Sequence, residues 1–301
     1  MSTASGTDAS AIHVKASTQS DMGRVRKNNE DNLVICNLTT GEIGLPALGD
    51  YEQGNRGTLF MVADGMGGEA SGEVASQICT ATVPKRFYEN LKSMGKVSEP
   101  NFVLLLREAI EYANQIIFQK AGTSPQFKGM GTTTTAAALL GPYLFVGQVG
   151  DSRAYLIRNK QAVQLTRDQT FLNYLADIGA ELPADPEKDS RKSILTQAVG
   201  SSEKLEVKVT YTKIRQGDSL LICSDGLYNM VKMPDLLSIV TGPEGLAGKC
   251  KALVAKANEN GGTDNCTVIL AEFSGNGLPS ADPLATVEFK EFHEDDFMAG
   301  A

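Results

Sequence analysis

Four short segments each place an aspartate at the polar end of an apolar run: Phe60-Met61-Val62-Ala63-Asp64-Gly65-Met66-Gly67-Gly68, Val146-Gly147-Gln148-Val149-Gly150-Asp151-Ser152, Leu220-Leu221-Ile222-Cys223-Ser224-Asp225-Gly226, and Gly262-Thr263-Asp264-Asn265 before Cys266-Thr267-Val268-Ile269-Leu270. Runs this short, rich in Val, Ile, Leu and Phe, are buried strands, so their ends can lie side by side although the aspartates are distant in sequence. Carboxylates gathered at one sheet edge repel unless protons or cations are shared among them. No lysine or arginine is a close sequence neighbour of Asp64, Asp225 or Asp264, which favours a divalent metal over a salt bridge. Oxygen-only ligation selects a hard ion, Mg²⁺ or Mn²⁺, rather than zinc.

Each segment alone is ambiguous. Asp64-Gly65-Met66-Gly67-Gly68 reads equally as a strand-to-helix turn or a phosphate-cradling loop, and it lacks the Gly-Lys-Ser/Thr of a nucleotide-binding P-loop. Asp-Gly and Asp-Asn are common turn pairs. Upstream, Arg24, Arg26 and Lys27 run into Glu30 and Asp31, a pattern that suits either a solvated charged turn or a phosphate-reading arginine beside carboxylates that hold water on a metal. The chain contains two histidines, His13 and His293, both near its ends. A Ser-His-Asp triad or an imidazole zinc site is thereby disfavoured, and the chemistry is left to carboxylates, metal and water.

The elements that must position these groups follow from periodicity. Strands are expected over residues 11–17, 31–38, 58–63, 132–140, 143–149, 154–158, 162–165, 205–214, 219–223 and 266–273, and helices over 73–91, 102–120, 234–240 and 243–258. A glycine-rich exposed connection is expected over 39–56, and a short helix at 171–178 within a mobile flap spanning 168–200. Residues 1–10 are expected to be disordered, and 274–301 to form an acidic tail after a single domain spanning 11–273.

The chain has 301 residues, 42% of them hydrophobic and 21% charged, with a net charge of -8. This is the composition of a soluble globular protein, and the acidic balance argues against nucleic acid or an anionic membrane as partner. The opening residues lack the basic and apolar regions of a signal peptide and no apolar run is long enough for a bilayer, so a cytoplasmic location is expected. The five cysteines form no CxxC pair and read as reduced, buried thiols.

The ordered set Arg-x-x-Asn-Glu-Asp, Val-Ala-Asp-Gly-Met-Gly-Gly, Gly-Thr-Thr, Val-Gly-Asp-Ser-Arg-Ala, Leu-Thr-x-Asp, Ser-Asp-Gly-Leu and Thr-Asp-Asn resembles the metal-dependent type 2C Ser/Thr protein phosphatases (the PPM family) in their bacterial form, over about residues 12–273. The resemblance implies an α+β fold, a four-layer αββα sandwich of two antiparallel sheets flanked by helices. It implies hydrolysis of phosphoserine and phosphothreonine in proteins. Asp64 would bridge two ions, with Asp225 and Asp264 on the first and the Gly65 carbonyl on the second. Glu30 and Asp31 would act through coordinated water, and Arg26 would bind phosphate. Asp151, with Asp225, would hold a third ion, while Gly131-Thr132-Thr133 and Ser152-Arg153 would support the strands.

Two metals so placed would lower the pKa of a bridging water, and the resulting hydroxide would attack in line without a phosphoenzyme. Animal members carry a histidine where this chain has Met66, so the leaving group must be protonated by metal-bound water or by a carboxyl such as Asp31. Gln169 and Gln197 stand where histidine and arginine are common, which bears on the flap rather than the metals. A catalytically silent phosphoprotein binder would be expected to lose part of the carboxylate set, and an aspartyl-phosphate transferase would need a lysine beside its nucleophile. Expected partners are phosphorylated targets of a Ser/Thr kinase, and a monomer is expected.

Overall fold

A computed structural model describes residues 11–43, 51–67 and 71–293; residues 1–10, expected to be disordered, Gly68 of the glycine-rich loop, and 294–301 of the expected tail lie outside it. The chain opens with strands β1 (His13–Asp21), β2 (Asp31–Asn37), β3 (Glu42–Ile43), β4 (Tyr51–Glu52) and β5 (Thr58–Met66). Helices α1 (Ser71–Ser93) and α2 (Glu99–Ala121) follow, then β6 (Gly131–Thr132), β7 (Thr134–Leu140), β8 (Tyr143–Val149), β9 (Arg153–Arg158) and β10 (Gln161–Gln164). A short helix α3 (Phe171–Asp177) precedes β11 (Lys208–Lys213) and β12 (Ser219–Cys223). The remainder comprises α4 (Asp225–Tyr228), α5 (Met233–Val240), α6 (Leu246–Glu259), β13 (Cys266–Ser274) and β14 (Phe289–Glu291).

The strands form two antiparallel sheets, one in the order β10-β9-β12-β13-β1-β4 and the other β14-β11-β8-β7-β5-β2-β3, with β6 joined to the end of β5. The alternation of a strand explains the four layers. On β5, Phe60 and Val62 pack into the space between the sheets, against Leu220, Ile222 and Ile269 of the opposite one. Their neighbours Leu59 and Met61 face the other way, onto Cys79, Val83 and Phe87 of α1 and Leu106 of α2. In the first sheet, Leu221 and Cys223 likewise face Leu253 and Val254 of α6. Central strands are therefore apolar on both faces, which is why they read as continuous apolar runs. The sandwich is the one the resemblance implies.

Three departures from the sequence expectations stand out. Within the expected 39–56 connection, β3 and β4 pair with β2 and β1 as two-residue strands too short to leave a periodic signal. Asp225 opens a four-residue helix where only a turn pair was legible. The segment beyond Phe273 is not a free tail over its described length: Leu278 enters the inter-sheet core, β14 pairs with β11, and Phe292 is buried against Phe145 and Tyr211. Two apolar anchors scattered among Gly, Pro and acidic residues make too thin a pattern to read as packed. All five cysteines are free and buried. Among the described residues, no helix is long and apolar enough to cross a membrane.

Candidate metal centre

The carboxylates meet where strand ends from both sheets come together. Asp64 sits near the end of β5, held by its backbone: its N–H donates to Thr133 Oγ1 (3.0 Å), and its carbonyl accepts from Thr133 N–H (2.8 Å) and Thr132 Oγ1 (2.9 Å). The pair of threonines thus fixes the strand end, as the resemblance implies. The next residue, Gly65, bonds the Glu30 carbonyl through its N–H (3.1 Å), and a Cβ there would lie 2.3 Å from the Gly72 carbonyl oxygen. Only glycine lets β5, α1 and the loop before β2 approach so closely.

Asp31 is the register partner of Asp64 across β2 and β5. It is buried, Oδ2 accepting from Ser224 Oγ (2.7 Å) and Oδ1 having no hydrogen-bond partner. Asp225 follows Ser224, with Oδ2 accepting from Asn229 Nδ2 (3.1 Å). Asp264 precedes β13. Its neighbour Asn265, quoted in the motif but given no role from sequence, staples the arginine-bearing loop in place: Oδ1 accepts from Glu30 N–H (2.9 Å), and Nδ2 donates to the carbonyls of Met22 and Asn28 (both 2.9 Å).

Arg26, Glu30, Asp64, Gly65, Asp151, Asp225 and Asp264 line one cleft of about 500 Å³, closed on a further side by Ser193, Ile194 and Leu195. Asp31 lies behind this cleft rather than in its wall. The preference for metal over salt bridge needs correcting at one position: Arg26, distant in sequence, reaches Asp264 at 2.6 Å. Among the described residues, no three carboxylate, imidazole or thiol groups close on one point as ligands of an ion.

Burial and nearby negative charge raise Asp64, Asp225, Asp151 and Glu30. Burial, then Asp31, Asp225 and Asp151, hold Asp64 well above the usual carboxylate range. Burial and Asp151, Asp264 and Asp31 push Asp225 up to about 8, and burial with Asp168 pushes Asp151 up to about 6. Burial also raises Glu30, and takes Asp31 to about 6 against the lowering hydrogen bond from Ser224. Such a set cannot ionise fully at neutral pH without added positive charge, and Arg26 supplies only one. A cleft of oxygen donors, with an orphaned carboxylate oxygen of Asp31 just behind it, fits hard divalent cations.

The sequence matches the family model described as protein phosphatase 2C over residues 47–249. The serine/threonine phosphatase Stp of Listeria welshimeri is 33% identical over 257 residues, covering 85% of this chain and 95% of that protein. The crystal structure of the Mycobacterium tuberculosis serine/threonine phosphatase PstP superposes with a TM-score of 0.70 at 32% identity, covering 86% of this chain and 98% of that one. A solved catalytic domain of PstP in complex with two manganese ions gives a TM-score of 0.69 at 31% identity, covering 87% and 99%.

Proposed function

The chain belongs to the protein phosphatase 2C family, and from that membership we propose how its own residues carry the family's reaction. It is a metal-dependent protein phosphatase that hydrolyses phosphoserine and phosphothreonine in proteins. In our assignment Asp64, Asp225 and Asp264 would hold one Mn²⁺ or Mg²⁺ ion, Asp64 and the Gly65 carbonyl would hold a second, with Glu30 acting through water, and Asp151 with Asp225 would hold a third, weaker one. The observation that carries this reading is the grouping of Asp64, Asp151, Asp225 and Asp264 around one cleft, with Asp64 and Asp225 raised by burial and by neighbouring carboxylates.

When bound, the ions supply the Lewis acidity that ionises water near neutral pH and offsets charge on the phosphoryl oxygens. Arg26, at the cleft wall, offers its fork to those oxygens. Asp31 acts from behind, holding Ser224 and so the start of the segment bearing Asp225. Water attacks phosphorus, the bond to the serine or threonine oxygen breaks, and that oxygen takes up a proton. No side chain is phosphorylated. The same reading makes the substrates targets of a Ser/Thr kinase, the protein a monomer, and its location cytoplasmic, where buried thiols stay reduced.

Asp64→Asn and Asp225→Asn are expected to abolish hydrolysis of p-nitrophenyl phosphate and of a phosphothreonine peptide, with circular dichroism unchanged. Wild-type turnover in either variant, or full activity in excess EDTA, overturns the assignment.

A further inference from the structure

We propose that Gln169 is the positioning residue for the Asp151 carboxylate, an inference that rests on the metal reading above and adds a residue to it. Asp151 sits in the turn between β8 and β9, and Gly150 before it adopts φ +94°. A Cβ on Gly150 would lie 2.8 Å from Thr133 Cγ2, so Gly150 itself can be held only through its backbone. Gln169 bonds both of those backbone groups, sharing the carbonyl with Gln148 Nε2 (3.1 Å). Its Oε1 accepts from Gly150 N–H (2.8 Å), and its own N–H donates to the Gly150 carbonyl (2.9 Å).

A second arm starts one residue earlier and reaches the same turn from the opposite side. Asp168 pairs with Arg153 (2.6 Å), whose guanidinium lies 3.5 Å from the centroid of the Tyr228 ring, and Tyr228 Oη donates to the Asp151 carbonyl (3.1 Å). The backbone of Gly150 and Asp151 is thereby held by two sets of bonds while the Asp151 carboxylate stays in the cleft wall. The Gln169 carbonyl also accepts from Thr196 N–H (2.8 Å) and Thr196 Oγ1 (3.0 Å), which anchors the returning end of the flap on the same residue. Gln169 lines a neighbouring cavity and is absent from the cleft wall, so its role is to position rather than to touch the reacting phosphate.

Residues that hold a metal-ligating group in place typically change metal affinity 10- to 100-fold when lost. The decisive feature is selectivity. Gln169→Leu removes the acceptor for Gly150 N–H at nearly constant volume and should disturb Asp151 while leaving Asp64 and Asp264 untouched. In Mn²⁺ titrations of the metal-stripped full chain by calorimetry and electron paramagnetic resonance, Gln169→Leu should weaken the weakest ion about tenfold, mimicking Asp151→Asn. The tighter ions should bind as in wild type, and Gln169→His, whose Nε2 can accept in place of Oε1, should restore the wild-type isotherm. Should the leucine variant fail to fold, Gln169→Asn, one methylene too short, carries the same expectation. A wild-type isotherm for the leucine or asparagine variant, or equal weakening of every ion, overturns the proposal alone. A wild-type protein that binds no Mn²⁺ overturns the metal reading, and this proposal with it.

Discussion

Arg26 and Asp264 form an ion pair at 2.6 Å across the mouth of the cleft, joining the loop before β2 to the start of β13. Both side chains are partly open to water, at 51% and 31%, so the pair contributes under about 1 kcal/mol. A divalent ion competes easily for that carboxylate, and the freed guanidinium is then available to phosphate. Arg26→Ala should therefore raise KM for a phosphothreonine peptide about tenfold, the worth of one charge-assisted hydrogen bond. Mn²⁺ binding should be as tight as in wild type or tighter, since a competitor for Asp264 is gone. Steady-state kinetics and calorimetry check both halves; unchanged KM, or weakened Mn²⁺ binding, refutes the role.

Metal removal should expose the stored repulsion as a pH dependence. A carboxyl whose folded pKa is raised binds its proton more tightly in the folded state, so its contribution to stability is present at low pH and lost as pH climbs through the folded value. Asp31 and Asp151, both raised to about 6, and Asp225, raised to about 8, place that loss between about pH 5 and 9. The Tm of EDTA-treated protein should fall from pH 5.5 to pH 8.5, and Mn²⁺ should restore it most at the upper end. Differential scanning calorimetry tests this, and a metal-free Tm that is flat or rises over the same range contradicts it.

The carboxylate cleft was legible from sequence because Asp64, Asp151 and Asp225 each follow an apolar run and Asp264 precedes one, and a buried strand delivers its ends to a predictable edge. What was hidden is whatever depends on two segments meeting. Nothing near Asp264 in sequence announces Arg26, and Asn265 looks like half of a turn pair until its side chain is seen to bond Glu30, Met22 and Asn28. Gln169 was legible only as a departure from a family pattern; its bonds to Gly150 give it work. Asp31 and Glu30 are adjacent in sequence yet take different places. Alternation along the chain sends the two side chains different ways, one to the cleft and one beneath it.

The closing segment makes a prediction of its own. Phe292 is 1% exposed, its ring 6.5 Å from Phe145 and 6.3 Å from Tyr211, while its carbonyl accepts from Arg107 of α2 (3.5 Å). It thus ties the end of the described chain to a sheet and a helix at once. Phe292→Ala should cost about 3 to 5 kcal/mol of stability, as for other buried phenylalanines. At a temperature where the variant remains folded, kcat and KM should match wild type, since the ring lies outside the cleft. Urea unfolding and peptide kinetics separate the two; a loss below about 1 kcal/mol would mean the segment is an appendage after all.

Met66 sets the last prediction. It stands in the cleft wall, 38% exposed, where animal relatives carry a histidine, and no histidine lines that cleft among the described residues. An aryl phosphate leaves without a proton, but the oxygen of serine or threonine needs one, so a missing acid should slow only the physiological reaction. Met66→His should then raise kcat on a phosphothreonine peptide several-fold, short of the roughly 10²- to 10⁴-fold of an evolved general acid, because the imidazole is not pre-oriented. Turnover of p-nitrophenyl phosphate should change less than about twofold, within the scatter of a substitution that touches no step limiting that substrate. The sign of the pH effect is fixed: an acid works only when protonated, so the gain should be lost as pH rises through the imidazole pKa near about 6.5. Equal acceleration of both substrates would point to altered binding instead, and no gain on the peptide at pH 6 would show that Met66 does not stand at the leaving group.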